Sequence, residues 1–199
     1  AIARYLAGRR PDFVPLDPNL AKAGAAELNN IGLYSLGQLL SAEKSRELVR
    51  YFEERQVSDP YRSSAHKFLP KSNSRPRDAH IAHHDPLDIL KAPHLLELCN
   101  DPRVLGVVSQ FLGCKPTIGY IATWWSYPTA VGPQQAENFH RDVDDWRFVK
   151  LFVYLTDVET TSGPHKYVLH SSTQSKLTAI RRFDDQEVIR AFGSDHIRT

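Results

Sequence analysis

Residues 138–165 read NFHRDVDDWRFVKLFVYLTDVETTSGPH, and the character of this stretch decides the fold. Within it, residues 147–158 (RFVKLFVYLTDV) form a nearly continuous run of β-branched, aromatic and aliphatic side chains. Such a run predicts a strand that is buried on both faces. Residues 136–143 (AENFHRDV) predict a strand before it, and 165–172 (HKYVLHSS) predict another after the turn at 160–164.

Helices precede these strands along the chain. Residues 41–55 predict a helix with Ser41 as its N-cap, residues 87–98 predict a second, and residues 102–112 predict a third with Asp101 as its N-cap. The helical part is therefore expected to end just before the first strand of the β region.

The remaining segments complete this outline. Residues 1–30 are polar and interrupted by prolines, which predicts extended chain or turns, and residues 57–86 predict a long irregular segment. Residues 117–127 (TIGYIATWWSY) predict a strand, and residues 184–193 predict a last helix. Helices followed by antiparallel strands indicate an α+β protein whose β part is a sandwich or a jelly roll.

We expect one domain over residues 1–199, with a helical part of about 1–113 and a β core from about 114. The chain contains no methionine and ends after a charged stretch without a closing strand pattern. We therefore expect it to be incomplete at both ends, with C-terminal strands of the core missing.

Composition excludes several classes of protein. Hydrophobic residues make up 41% and charged residues 24%, as in a soluble globular protein. The net charge of +2 is too small to indicate a nucleic-acid or membrane-surface partner. There is no apolar run of roughly 20 residues and no signal pattern, so we expect a cytoplasmic protein. Cys99 and Cys114 are expected to be free thiols.

His140 and Asp142 are the residues of greatest chemical interest. Residues two apart in a strand point to one face, so these side chains project together if their segment is extended. An imidazole and a carboxylate side by side are two of the three ligands of a 2-His-1-carboxylate facial triad, which holds Fe(II) and leaves positions open for a co-substrate and O₂. A His-x-Asp pair alone is a weak signal, and a surface pair is the alternative.

The surrounding text resembles the phytanoyl-CoA dioxygenase family of Fe(II)/2-oxoglutarate-dependent oxygenases. The resemblance covers about residues 96–172 and is carried by 101–116 (DPRVLGVVSQFLGCKP), 119–128 (GYIATWWSYP), 139–158 (FHRDVDDWRFVKLFVYLTDV) and 162–168 (SGPHKYV). It implies a double-stranded β-helix (jelly roll, cupin-like) core in which His140 and Asp142 bind iron. It also implies hydroxylation of an unactivated C–H bond of a small organic substrate, with O₂ and 2-oxoglutarate consumed and succinate and CO₂ released.

The resemblance also points to two cofactor-binding residues. Thr123 matches a position that contacts the co-substrate in relatives, although it could be an ordinary strand threonine. Lys150 is a cation on an apolar strand, where a carboxylate of 2-oxoglutarate would compensate its charge. The alternative for Lys150 is an ion pair with Asp144, Asp145 or Asp157.

Other residues near the pair have less definite roles. Arg141 points to the face opposite the ligands, so it either lines the mouth of the site or is solvated. Trp124 and Trp125 point to opposite faces of one strand, and a core position is favoured for each over a substrate platform. His165 is expected to be structural or to face the substrate.

The chain departs from the family pattern in important places. The family's third ligand is a histidine on a late strand, followed by an arginine or lysine that binds the distal carboxylate of 2-oxoglutarate, and this chain offers neither. His196 is a poor substitute, and residues 168–172 (VLHSS) replace the family's Gly-Ser-His turn. His80, His83 and His84 could bind a metal if helical, form a polar loop, or cap the site.

Three functions remain open at this level. The first is the oxygenase, and the second is a non-catalytic jelly-roll relative that serves as a binding module. The third is a cupin-type enzyme that uses Zn²⁺ or Mn²⁺ with the same ligands. Neither the substrate nor the oligomeric state follows from the sequence.

Overall fold

The computed structural model describes residues 15–62, 66–128 and 132–199 of the chain. The helices are α1 (Pro18–Asn30), α2 (Ala42–Glu53), α3 (Pro86–Leu90), α4 (Leu95–Cys99), α5 (Pro102–Leu112) and α6 (Asp185–Phe192). The strands are β1 (Val57–Ser58), β2 (Lys67–Phe68), β3 (Ile81–His84), β4 (Trp124–Ser126), β5 (Tyr167–Val168) and β6 (Ile197–Arg198). Three 3₁₀ turns lie at Gln135–Glu137, Ser171–Thr173 and Ser194–His196.

Antiparallel pairing joins all of these strands. β1 to β4 form one sheet in the order β2–β1–β3–β4, and β5 pairs with β6. The described residues thus combine helices with antiparallel strands but include no closed barrel. The jelly roll stays a prediction.

Local capping explains why the expected helices form. The Ser41 hydroxyl accepts the N–H of Lys44 at 3.3 Å at the start of α2. The Asp101 carboxylate accepts the N–H of Arg103 at 2.8 Å at the start of α5. Gly113 ends α5 with φ 71°, a left-handed conformation that glycine adopts without steric cost. These two helices and α6 are confirmed, and the helix expected over 87–98 is divided into α3 and α4.

The prediction of extended chain or turns over residues 1–30 is wrong for α1. The Asp17 carboxylate accepts two backbone N–H groups of its first turn, each at 3.0 Å, and Pro18 occupies the first turn. α1 packs against α5. A Cβ added at Gly24 would lie 2.8 Å from methyl carbons of Val107, so this approach requires a glycine.

The four-stranded sheet takes three of its strands from residues 57–84, which were predicted to be irregular. These strands lie within the part of the chain that was expected to be helical. β3 lies at the centre of this arrangement, where Val57 of β1 pairs with His84 and Trp125 of β4 pairs with Ala82. The strand predicted over 117–127 contracts to β4, and the one over 165–172 contracts to β5.

The strands predicted over 136–143 and 147–158 are absent from the structure. In the first, Phe139 forms an isolated bridge with Phe183, and the second contains no assigned strand. A strand requires a neighbouring chain for its backbone N–H and C=O groups. No described residue forms a ladder with 147–158, so hydrophobicity alone does not make it a strand.

Among the described residues, three clusters of buried side chains form the core beside the buried contact between α1 and α5. The first is Leu48, Phe52, Ile89, Ala92, Leu95 and Leu98; the second is Val57, Phe68, Ala79 and Ala82; the third is Val168, Phe183, Val188 and Phe192. Val153 and Leu155 pack on the first cluster and Phe139 packs on the third. The candidate ligands therefore lie on chain that is anchored at both ends.

Candidate functional site

His140 and Asp142 come together, although their segment is not a strand. His140 Nε2 lies 3.4 Å from Asp142 Oδ1. His140 Nδ1 lies 2.8 Å from the carbonyl oxygen of Asn138, which can only accept a hydrogen bond. A hydrogen bond to this carbonyl requires a proton on Nδ1. Nε2 faces the Asp142 carboxylate, and it could bind a metal ion together with that carboxylate when it carries no proton.

The spacing of these two atoms fits a single metal ion. Imidazole nitrogens and carboxylate oxygens bind transition metals at about 2.1 Å, and at that distance two atoms 3.4 Å apart subtend an angle of about 108° at the metal. The donor set suits Fe(II), Zn²⁺ or Mn²⁺. Within 15–62, 66–128 and 132–199, no group of three or more His, Cys, Asp or Glu side chains is arranged to hold a metal. The role of His140 and Asp142 as metal ligands, and the third ligand of the predicted triad, stay predictions.

Lys150 lies directly beside this pair. Its Nζ is 2.7 Å from Asp142 Oδ1 and 2.8 Å from Asp144 Oδ2. Burial lowers the pKa of the Lys150 ammonium, but the two carboxylates outweigh this effect and leave the pKa above its usual range. The ion pair with Asp144 is one of the alternatives expected from the sequence. A contact between Lys150 and 2-oxoglutarate stays a prediction.

Arg141 is among the residues that line the groove around His140 and Asp142, but it is not simply solvated. Its guanidinium donates to four backbone carbonyls, at distances of 2.6–3.1 Å. The acceptors are Ser171, Gln174, Lys176 and Leu177. The residue between the two candidate ligands therefore fastens them to the 171–177 loop.

The structure shows no contact between Thr123 and either His140 or Asp142. Its carbonyl accepts the N–H of His84 at 3.0 Å, which places Thr123 beside the sheet. It is not among the described residues that line the groove around His140 and Asp142. Its predicted contact with the co-substrate remains a prediction.

The two tryptophans of β4 have different environments. Trp125 packs between the first and second core clusters, and its indole N–H donates to His84 Nε2 at 3.0 Å. Trp124 is 42% exposed, so the core position favoured for it is not what the structure shows. Its ring stacks with that of His83 at 5.7 Å and meets the Phe152 ring edge-on at 6.4 Å.

His165 joins the candidate site, a role the sequence pattern left open. It lines the same broad, open groove as His140 and Asp142, and its ring lies 4.3 Å from that of Phe152. Desolvation lowers the pKa of His165 while the charge of Asp142 raises it, so the imidazole lies within electrostatic range of the candidate ligands. The sequence shows that His165 lies beside a predicted strand, but it does not show that His165 is close to Asp142.

The other histidine cluster is part of the sheet and not a helix. His80, His83 and His84 have different partners: Glu137, Trp124 and Trp125 respectively. His84 is 4% exposed, and its Nδ1 has no hydrogen-bond partner among the described residues. Burial lowers the pKa of His84 to about 4. A shared metal site for these three histidines is therefore not what the described geometry supports.

The contacts of His196 are with other residues than His140 and Asp142. Its ring lies 6.0 Å from that of His170, and its carbonyl accepts the N–H of Leu169 at 2.8 Å. It therefore belongs to the β5–β6 region, and this agrees with the expectation that His196 is a poor substitute for the third ligand.

Comparison of the chain with protein-family models, curated proteins and solved structures found no match. None of the helices in the described ranges combines the length and apolar character needed to cross a membrane. Any assignment of function therefore rests on the residues themselves.

Proposed function

We propose that the chain carries part of the active site of an Fe(II)/2-oxoglutarate-dependent oxygenase that acts on a small organic substrate in the cytoplasm. The observation that supports this most directly is the 3.4 Å approach of His140 Nε2 to Asp142 Oδ1, while the opposite ring nitrogen lies 2.8 Å from the Asn138 carbonyl oxygen. The resemblance of the surrounding text to the phytanoyl-CoA dioxygenase family selects iron over other metals that suit these donors.

Bound iron, together with 2-oxoglutarate and O₂, would supply the oxidising power that converts a substrate C–H bond to C–OH, with succinate and CO₂ released. The protein's own residues bind and orient. His140 and Asp142 would hold the metal, and the Asn138 carbonyl keeps the His140 imidazole in the tautomer that can bind it.

Lys150 has a double role in this proposal. Its ammonium neutralises Asp142 in the structure, so a metal that binds Oδ1 must compete with it. Once displaced from Asp142, the same cation would retain its contact with Asp144 and could also bind a carboxylate of the co-substrate. A lysine at position 150 can therefore pair with Asp142 when no metal is bound and with the co-substrate when the metal is bound.

The first test is metal binding under anaerobic conditions. We expect Fe(II), or Co(II) as an oxygen-stable probe, to bind with an affinity that falls at least tenfold in His140→Ala and in Asp142→Ala. His66→Ala is the matched control, because His66 is exposed and lies outside the groove. Equal affinity in the wild type and His140→Ala would contradict the proposal. Succinate release from 2-oxoglutarate that depends on His140 would extend it from binding to catalysis.

One observation favours a non-catalytic relative as the second candidate. The Lys150 ion pair already compensates the charge of Asp142, as a binding module without a metal would require. The same titration separates the two functions, because this module would bind no metal at micromolar concentrations. Metal analysis of the purified protein would separate iron from the Zn²⁺ or Mn²⁺ of a cupin-type enzyme.

A further inference from the structure

The turn that precedes His140 is fastened to the sheet by a histidine–carboxylate pair. His80 comes just before β3 and is 5% exposed, and its Nδ1 lies 2.8 Å from Glu137 Oε2. The same oxygen accepts the backbone N–H of Gln134 at 2.6 Å. Glu137 therefore closes the 3₁₀ turn on itself and ties it to a buried side chain 57 residues earlier.

Asn138 connects this turn to the candidate ligand. Its side-chain amide donates to the carbonyl of Pro133 at 3.1 Å, on the far side of the turn. Its own carbonyl accepts the Nδ1 proton of His140 at 2.8 Å. The direction of that carbonyl thus depends on a turn that Glu137 holds.

We propose that Glu137, held by His80, is a positioning residue for His140. It orients the Asn138 carbonyl, which keeps the imidazole proton on Nδ1 and leaves the Nε2 lone pair directed at Asp142. Its consequence for metal binding rests on the proposed function, whereas the tautomer of His140 does not. His80 thereby has a role in the candidate site without being a metal ligand.

The physical reason is the cost of an alternative tautomer. In water the two neutral tautomers of an imidazole differ little in energy. The 2.8 Å contact with the Asn138 carbonyl therefore favours Nδ1–H over the weaker bond that an Nε2–H could make to Asp142 at 3.4 Å. If the turn loosens, the carbonyl leaves, and a proton on Nε2 can then bond Asp142 instead. That proton would block the nitrogen that a metal requires.

The direct experiment is ¹⁵N NMR of the histidine side chains, with no metal present, at about pH 8, where free imidazoles are neutral. The variants are Glu137→Ala, which removes the acceptor, and Glu137→Gln, whose amide oxygen can replace it. We expect the Nδ1–H form of His140 in the wild type and in Glu137→Gln, and a substantial Nε2–H population in Glu137→Ala. His80→Ala should resemble Glu137→Ala, and if His80→Ala does not fold the Glu137 variants still decide.

The second readout is Co(II) affinity, which should fall about tenfold in Glu137→Ala and recover in Glu137→Gln, as for other groups that orient a metal-binding histidine. Glu159→Ala, an exposed carboxylate on another turn, should change neither readout. An unchanged His140 tautomer in Glu137→Ala would overturn the positioning role. If the tautomer changes in Glu137→Ala but the wild-type protein binds no metal, the positioning role stands and the proposed function is refuted.

Discussion

Arg141 lies on a segment without regular secondary structure, yet its replacement by alanine should destabilise the fold far more than an exposed substitution does. The guanidinium donates to four backbone carbonyls, three of them in partly buried positions. Three of these bonds share one nitrogen, Nη2, so they are worth fewer than four independent bonds. A charge-assisted bond contributes about 1.5–3 kcal/mol when buried, and partial exposure reduces this. We expect Arg141→Ala to lower the free energy of unfolding by about 2–4 kcal/mol.

Urea and thermal unfolding, followed by far-UV circular dichroism, would measure this loss. For a chain of this length it corresponds to a fall in Tm of about 4–16 °C. Arg141→Lys should recover only about 1 kcal/mol, because an ammonium cannot span several carbonyls as a planar fork does. Arg182→Ala is the matched control and should stay within about 0.5 kcal/mol of the wild type, as exposed substitutions do. If Arg141→Ala also lies within that range, the assigned role of Arg141 is wrong.

Three further predictions concern the core, the helix contact and the candidate site. Because burial lowers the pKa of His84 to about 4, the unfolded chain takes up a proton below about pH 6.5 before the folded one does, and stability falls between these values. The stability difference between wild type and His84→Leu should therefore shift against the wild type by about 2 kcal/mol from pH 7.5 to pH 4.5 in urea unfolding; a constant difference would contradict this. Gly24→Ala should cost about 1–3 kcal/mol because its Cβ would meet α5, whereas Gly119→Ala, which faces open space, should cost far less; equal melting temperatures would refute that packing. Lys150→Ala should raise the affinity for Co(II) alone about two- to fivefold, since it removes a partly exposed ion pair with Asp142, yet weaken 2-oxoglutarate binding; calorimetric titrations that show no change in either would remove Lys150 from the site.

The helices could be predicted from sequence because their determinants are local. Ser41 and Asp101 each bond to an N–H group within three residues, so the cap and the helix are visible in the same short window. α1 was missed although Asp17 and Pro18 form the same kind of start. The prolines of residues 11–18 favour turns, and the alanine-rich sequence of α1 has only a weak apolar pattern.

The strands were predicted less well because a ladder depends on residues far apart in the chain. β3 exists because Val57 and Trp125 are available as neighbours of its residues His84 and Ala82, and no short window contains both sides of such a pair. Conversely, residues 147–158 have the composition of a strand but no ladder partner in the described part of the chain. Composition predicts the preference, and pairing decides whether it is realised.

The candidate site combines both kinds of determinant. The i, i+2 spacing of His140 and Asp142 correctly predicted that their side chains converge, but the reason offered, a regular strand, is not the one that the structure shows. What holds the pair comes from elsewhere in the chain: the Leu177 carbonyl bound by Arg141 is 36 residues away, and His80 is 57 residues from its partner Glu137. The supporting residues, and not only the two candidate ligands, therefore determine how the imidazole and the carboxylate face each other.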